Sequence, residues 1–204
     1  GSHNSFWKLN LYKKMKYVWN NANSDVGDLI LAFNTLGENL VGLELGVGKG
    51  ESLMTILNNC SIKKLYGIDN WKPYTDYLKT IPDGNPCYHV NEEQQDIARF
   101  FTYHYINFSD QKNKVKILEM DSLEAVKHIP NKSLDFIFFD AMMTEEQSYE
   151  EARAYYPKIK KGGLFTGHDA VAVDQVMKPI AKVKEEYNNT SDIKVFNNCF
   201  LFKI

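Results

Sequence analysis

One short segment constrains the fold of this chain more than any other: the apolar run Leu40–Leu45 leads directly into Gly46, Gly48 and Gly50. A short apolar run bounded by turn residues is typical of a buried strand, and the residues after Gly50 have the period of a helix. Glycine at alternate positions permits a tight turn and lets a ligand lie against the backbone, where a Cβ would collide. The segment therefore predicts a strand, a ligand-binding loop and a helix. A tight turn without a ligand is the alternative.

The residue after the glycines narrows the choice of ligand. A dinucleotide-binding fingerprint needs its third glycine one place later, where this chain has Glu51. A glutamate at the start of a helix also repels a pyrophosphate. The loop thus favours a ligand that approaches closely and carries no phosphate.

From residue 40 onward, short apolar runs alternate with segments of helical period, which indicates parallel strands joined by right-handed crossovers, with helices on both faces of the sheet. The last two runs are joined only by Asn197 and Asn198, which predicts a tight antiparallel hairpin. The fold class is therefore α/β, with a doubly wound, mainly parallel seven-stranded sheet ending in that hairpin. The predicted strands are Leu40–Leu45, Lys64–Ile68, Val115–Glu119, Leu134–Phe139, Gly163–Gly167, Ile193–Phe196 and Cys199–Phe202. The predicted helices are Glu51–Asn59, Glu92–Phe108, Leu123–His128, Ser148–Lys158 and Val173–Tyr187.

The chain divides into three parts. Residues 1–3 are an expression scar, residues 4–36 form an N-terminal helical extension, and residues 37–204 form the main domain. In the helix Glu92–Phe108, apolar residues at steps of three and four predict an amphipathic face made of Ile97, Phe101, Tyr105 and Phe108. The long segment Asn70–Val90 has no helical or strand period, and loops of this length tend to be functional lids or mobile.

Composition excludes several classes of partner. The net charge of the 204 residues is −2 and the lysines are scattered, so we expect no nucleic-acid partner and no anionic membrane surface. No run is long and apolar enough to span a bilayer, and no signal peptide opens the chain. The three cysteines, Cys60, Cys87 and Cys199, lack metal or redox spacing and fit the reducing cytoplasm. The sequence does not indicate an oligomeric state.

The motif Glu44-x-Gly46-x-Gly48-x-Gly50 resembles the first motif of the class I S-adenosylmethionine (SAM)-dependent methyltransferases. Further segments match that superfamily in the same order, and Gly167-His168-Asp169 is similar to its small-molecule and O-methyltransferase-like branch. The resemblance spans residues 40 to about 204 and implies a Rossmann-like SAM-binding domain. The other matching segments are Tyr66–Asp69, Leu118–Ser122, Leu134–Ala141 and Tyr156–Phe165.

The resemblance also implies a role for each acid. Asp69, at the end of the second strand, would accept both ribose hydroxyls, and Asp121 would accept from the adenine amino group. Asp121 and Ser122 can equally cap the helix that follows them. Glu44 would reach the methionine amino group or brace the loop. The implied cofactor-binding residues are Glu44, Gly46, Gly48, Gly50, Asp69, Asn70, Asp121, Ser122 and Asp140. The aromatic residues Trp71, Tyr74, Tyr77 and Tyr88 could wall the adenine, close over an acceptor or pack the loop onto the core.

The catalytic residues implied are His168, as a base that titrates near neutral pH, and Asp140. Together with Asp169 they could instead bind a divalent cation, as comparable positions do in catechol-type O-methyltransferases. This chain departs from those relatives, which carry Asp-Asn where it has His168-Asp169. The sequence therefore leaves open whether this site binds a metal.

The function that follows is transfer of a methyl group from SAM to a small-molecule acceptor, with oxygen as the methylated atom. Two alternatives share the fold: an aminopropyltransferase-like enzyme, and an NAD-dependent enzyme. A third is a SAM-binding regulatory domain without catalysis. Fold alone does not distinguish these activities.

Overall fold

The computed structural model describes residues 26–73, 91–140 and 144–204. The predictions for Tyr74, Tyr77 and Tyr88 lie outside these residues, as does most of the N-terminal extension. The described part of the extension holds one helix, α1 (Gly27–Asn34). Its Phe33 stacks on Phe136 of the sheet, with ring centroids 4.1 Å apart.

The described residues form one seven-stranded sheet, with strand order β3-β2-β1-β4-β5-β7-β6. β1 to β5 are parallel to one another, and β7 runs antiparallel to both β5 and β6. This confirms the predicted fold class, including the hairpin at Asn197 and Asn198. The strands are β1 (Leu40–Leu45), β2 (Ile62–Asp69), β3 (Val115–Glu119), β4 (Leu134–Phe139), β5 (Ile159–His168), β6 (Lys194–Phe196) and β7 (Cys199–Lys203).

The helices cover both faces of the sheet and enclose two apolar layers. Buried side chains of α1, α2 and α3 pack with Phe136 and Phe138 on one face. Those of α4, α5 and α6 pack with Ile137 and Phe139 on the other, as the alternation of side chains along β4 requires. The remaining helices are α2 (Glu51–Asn59), α3 (Glu92–Phe108), α4 (Ser122–Ala125), α5 (Glu145–Tyr155) and α6 (Lys178–Glu186).

The predicted apolar face of α3 is only partly correct. Ile97 and Phe101 are each 38% exposed, whereas the inward face carries Gln95, Ala98, Thr102 and Ile106. Small and polar residues are needed there because α3 lies against the glycine loop, where the Thr102 hydroxyl donates to the Gly48 carbonyl at 2.8 Å. The close approach of α3 to the loop backbone therefore decides which side of the helix faces inward, and the spacing of its large apolar residues does not.

Two further helices differ from the prediction at their ends. α5 begins at Glu145 because the Thr144 side chain caps it, accepting from the main-chain N of Gln147. Before α6, a π-helical turn spans Val173–Met177. No helix among the described residues has both the length and the apolar character needed to cross a bilayer.

Candidate active site

A narrow cleft opens at the carboxyl ends of β1, β2 and β3, the edge where parallel α/β sheets bind ligands. Five of the residues predicted from sequence to bind a cofactor line it together, so the structure brings these predictions to one place. None of the described residues lining the cleft is a lysine or an arginine. The lining residues are Leu45, Gly46, Ile68, Asp69, Asn70, Met120, Asp121, Ser122, Gln147 and Glu151.

The loop between β1 and α2 depends on its glycines. Gly46, Gly48 and Gly50 have φ angles of 88°, 57° and 84°, in the region that side chains with a Cβ rarely adopt. At Gly50 a Cβ would also lie 3.2 Å from the Cα of Thr102. The backbone of the predicted loop therefore requires glycine at these positions, and α3 packs directly against the loop.

Asp69 holds this loop in place. Its Oδ2 accepts from the main-chain N of Val47 at 3.0 Å and from that of Gly48 at 2.9 Å, while Oδ1 accepts from that of Trp71 at 2.8 Å. Trp71 is buried and donates from its indole Nε1 to the Gly48 carbonyl at 2.8 Å. The loop-bracing role that the sequence allowed for Glu44 thus belongs to Asp69, and Trp71 packs against the core.

Glu44 has the opposite environment. It is 1% exposed, and neither of its carboxyl oxygens has a hydrogen-bond partner among the described residues. Burial, followed by the charges of Asp140 and Asp69, raises the pKa of Glu44 well above its usual value. A buried carboxyl beside two other acids needs either a proton or a positively charged group for compensation.

Asp121 and Ser122 begin α4. Asp121 accepts from the main-chain N of Leu123 at 2.9 Å, which confirms the capping role that the sequence allowed. The Ser122 hydroxyl donates to Oε1 of Glu151 at 2.7 Å, and the Gln147 side-chain amide donates to the same oxygen at 3.1 Å.

Sequence reasoning missed Gln147 and Glu151, both on α5. Glu151 is 2% exposed, and burial raises its pKa to about 7. The sequence feature that could have indicated them is the presence of polar residues on the buried face of a helix. Ser148 and Glu151 occupy inward positions three residues apart, on the same face as the apolar Ala152 and Tyr155.

His168 lies between two carboxylates at the end of β5. Its Nδ1 is 3.0 Å from Oδ1 of Asp169 and 3.5 Å from Oδ1 of Asp140. Asp169 has a φ of 63°, a conformation uncommon outside glycine that turns the chain sharply after the strand. Ligand atoms of the three side chains lie within 4.8 Å of one another, a spacing that fits one metal ion.

The hairpin after β6 supplies a fourth residue, Asn198, which sequence reasoning also missed. Its side-chain oxygen accepts from the main-chain N of Val171 at 3.0 Å, which directs the amide nitrogen to His168 Nε2 at 3.4 Å. Because carboxylates only accept, the Nδ1 of neutral His168 carries the proton and Nε2 holds the lone pair. Asp140, Asp169 and Asn198 thus fix the orientation of the imidazole ring.

Comparisons with known proteins agree with this geometry. A family model described as a methyltransferase domain matches residues 43–170. No curated protein matches the chain in sequence.

Solved structures match over almost the whole chain. A proposed S-adenosyl-L-methionine-dependent methyltransferase from Methanococcus maripaludis shares 10% identity, with 95% of this chain and 90% of that chain covered and a TM-score of 0.58. A proposed rRNA methylase from Clostridium thermocellum shares 10% identity over 90% and 97% of the chains, with a TM-score of 0.62. The O-methyltransferase NovP shares 15% identity over 94% and 79%, with a TM-score of 0.59. At these identities the likeness shows a shared fold alone.

Proposed function

Since the chain belongs to the class I SAM-dependent methyltransferases, we propose that it methylates an oxygen atom of a small-molecule acceptor. The observation that carries the choice of methyl donor is the buried carboxyl of Glu44, which lies near Asp69 and Asp140 and has no hydrogen-bond partner among the described residues. Such a site favours a ligand with positive charge, and SAM carries both an ammonium and a sulfonium. The same acids disfavour NAD, whose pyrophosphate is negative.

The residues present fit SAM in three places. Glu44 would accept from the α-ammonium group, while the glycine loop gives the methionine part close access to the backbone. Asp69 accepts three hydrogen bonds from main-chain N–H groups, and its carboxylate could accept one more from a ribose hydroxyl. Asn70, Asp121 and Ser122 would complete the adenosine site on the far side of the cleft.

When bound, SAM supplies a methyl group made electrophilic by the neighbouring sulfonium. The protein must then position the acceptor and take its proton. His168 is suited to this task because its Nε2 holds a lone pair that would take the proton once the acceptor displaces the Asn198 amide, and the carboxylates at Nδ1 would stabilise the imidazolium that forms. Asp140 is placed to orient the ring from β4.

A second way to activate the acceptor is favoured by the spacing of Asp140, His168 and Asp169. These residues would hold a divalent cation, and two carboxylates with an imidazole suit such an ion. A bound cation would lower the pKa of an acceptor hydroxyl directly. His168 would then act as a ligand and would no longer serve as the base.

The proposal extends to partners and location. A cleft lined by acids disfavours a polyanion such as RNA, which supports a small-molecule acceptor. Cys60 is buried and forms no disulfide among the described residues, which supports a reducing compartment such as the cytoplasm.

Calorimetric titration tests the choice of cofactor. We expect heat from SAM and from its demethylated product S-adenosylhomocysteine, and none from NAD. NAD binding without SAM binding would overturn the proposal.

A screen of hydroxylated and amino compounds, read by product mass, then tests the reaction. A mass gain of one methyl group on an oxygen supports the proposal, whereas an aminopropyl gain from decarboxylated SAM would assign the aminopropyltransferase alternative. Firm SAM binding with no acceptor in a broad screen would favour the non-catalytic domain.

A further inference from the structure

Glu151 is a buried acid that the proposed chemistry does not use. It lies on the inward face of α5, lines the cleft, and is almost fully shielded from water. A carboxyl in such a place is costly unless its oxygens are hydrogen-bonded. Only Oε1 has partners, since Oε2 has none among the described residues.

The two carboxyl oxygens of Glu151 have different surroundings. Ser122 Oγ and Gln147 Nε2 both donate to Oε1, so that oxygen is held on the side of α4 and the first turn of α5. Tyr155, one turn further along α5, donates from its hydroxyl to the Ser122 carbonyl at 2.6 Å and so holds the start of α4 against α5. The carboxyl therefore cannot rotate freely, and Oε2 is the oxygen left without a partner among the described residues, whereas the carboxyl of Asp121, which lines the same cleft, already caps α4.

The geometry points to Glu151 Oε2 as an acceptor for the exocyclic amino group of the bound purine, so that Glu151 selects an adenosyl over an inosyl ligand. This inference rests on the proposed function, because it assigns a specificity role within the SAM site. An amino group at purine position 6 donates hydrogen bonds, whereas the carbonyl of an inosyl group only accepts. A site built around an acceptor rejects the carbonyl, because two acceptors then face each other without a proton.

A single substitution distinguishes recognition from structural support. In Glu151→Gln the amide oxygen keeps the position of Oε1, because Ser122 and Gln147 both donate there. The amide nitrogen then takes the position of Oε2 and turns the acceptor into a donor. The variant should lose the preference for the amino ligand, whereas a residue that only braces α4 would change both affinities equally.

The experiment is calorimetry at pH 8 with S-adenosylhomocysteine and S-inosylhomocysteine. We expect the wild type to bind the adenosyl ligand at least tenfold more tightly, and Glu151→Gln to lower that ratio by at least tenfold, to unity or beyond. Glu150→Gln is the matched control, because it makes the same change one residue away on the exposed side of α5. It should keep the wild-type ratio.

Glu151→Ala supplies a second variant that offers neither acceptor nor donor, and it should bind the two ligands within about threefold of each other. An unchanged ratio in folded Glu151→Gln or Glu151→Ala would overturn the inference. If the wild type binds neither ligand, the proposed function fails instead, so the two failures are distinguishable.

Discussion

At the scale of single residues, the site contrasts two acids at the ends of neighbouring strands. Asp69 accepts three main-chain hydrogen bonds, whereas Glu44 accepts none from the described residues. The first stabilises the loop in the absence of a ligand, and the second is stabilised only by a proton or by a cationic ligand. One carboxyl thus stabilises the loop, and the other has the environment that we propose for binding the positively charged part of the ligand.

Substitution of Asp69 should therefore damage both the loop and ligand binding. We expect Asp69→Ala to lower S-adenosylhomocysteine affinity at least tenfold, because the ribose and the loop lose a charged acceptor worth about 1.5–3 kcal/mol per bond. The melting temperature should fall while the chain stays folded. Calorimetry and thermal unfolding measure the two effects, and unchanged affinity in the folded variant would refute the assignment.

His168→Ala separates a base from a residue that only positions the acceptor. If His168 takes the acceptor proton, turnover should fall roughly 10²-fold or more while S-adenosylhomocysteine affinity stays within about twofold of wild type. His128 is an exposed histidine outside the candidate site, so His128→Ala should retain full turnover.

The metal alternative gives a different pattern from the same assay. Chelation and Asp140→Ala would each abolish turnover, and fresh divalent ions would restore the chelated wild type. A small loss in His168→Ala without chelator sensitivity would contradict both forms of activation.

The pKa of Glu151 predicts a pH-dependent stability. Burial raises it from 4.5 to about 7. The hydrogen bonds from Ser122 and Gln147 oppose this rise, and the charges of Asp121 and Glu150 make the smallest contributions. The unfolded chain loses this proton first, so the folded state loses stability as the pH rises from 4.5 to 7. Relative to Glu151→Gln, the wild type should lose up to about 3 kcal/mol over this range.

Urea unfolding of both proteins at pH 5 and pH 8 measures this difference directly. Glu150→Gln, which removes an exposed carboxyl of the same helix, should follow the wild type. A stability difference that does not change with pH would show that Glu151 is not protonated in the free protein.

At the scale of elements, the sequence was most informative where one physical rule acts alone. β1 and β4 begin and end as predicted, because a buried parallel strand is an apolar run bounded by turn residues. The edge strand β3 also has its predicted ends, although only Leu118 of this strand is buried. α3 was predicted in extent but not in its inward face, because contact with the glycine loop requires small residues such as Ala98 and Thr102.

The candidate site likewise contains some residues that the sequence predicts and others that it does not. Asp69, Asp121 and His168 were predictable because each lies at the carboxyl end of a strand or within two residues of it. Glu151 and Asn198 were not, since they reach the site from a helix face and a hairpin turn that only tertiary packing brings there.

The junction of the glycine loop with α2 offers a test at this scale. Gly50→Ala should lower the free energy of unfolding by about 1–3 kcal/mol, because its φ of 84° is unfavourable for alanine and the new Cβ would lie 3.0 Å from Thr102 Oγ1. Gly27→Ala is the matched control, because no atom lies within 4 Å of its added Cβ. That variant should gain up to about 1 kcal/mol from its position in α1. Equal effects in the two variants would contradict the close approach of α3.

At the scale of the whole molecule, the residues that line the cleft come from β1, β2, α4 and α5, so a ligand bound there would join the sheet to the helices of one face. S-adenosylhomocysteine at about one hundred times its Kd should therefore raise the free energy of unfolding by about 2.7 kcal/mol. For a chain of this size that corresponds to a rise in Tm of roughly 5–10 °C. Scanning calorimetry measures it, with NAD at the same concentration as the control. A rise with NAD alone would contradict the proposed ligand.

The antiparallel pairing of β7 with β5 also has a consequence for biosynthesis. β5 pairs with β4 as soon as both have left the ribosome, but its other edge stays open until β7 follows, roughly thirty residues later. At about 5–20 residues per second, the nascent chain exposes an apolar strand edge for seconds, which is long enough to recruit chaperones or to pair wrongly. Asn198 belongs to the same hairpin, so its contact with His168 forms in the step that closes the sheet.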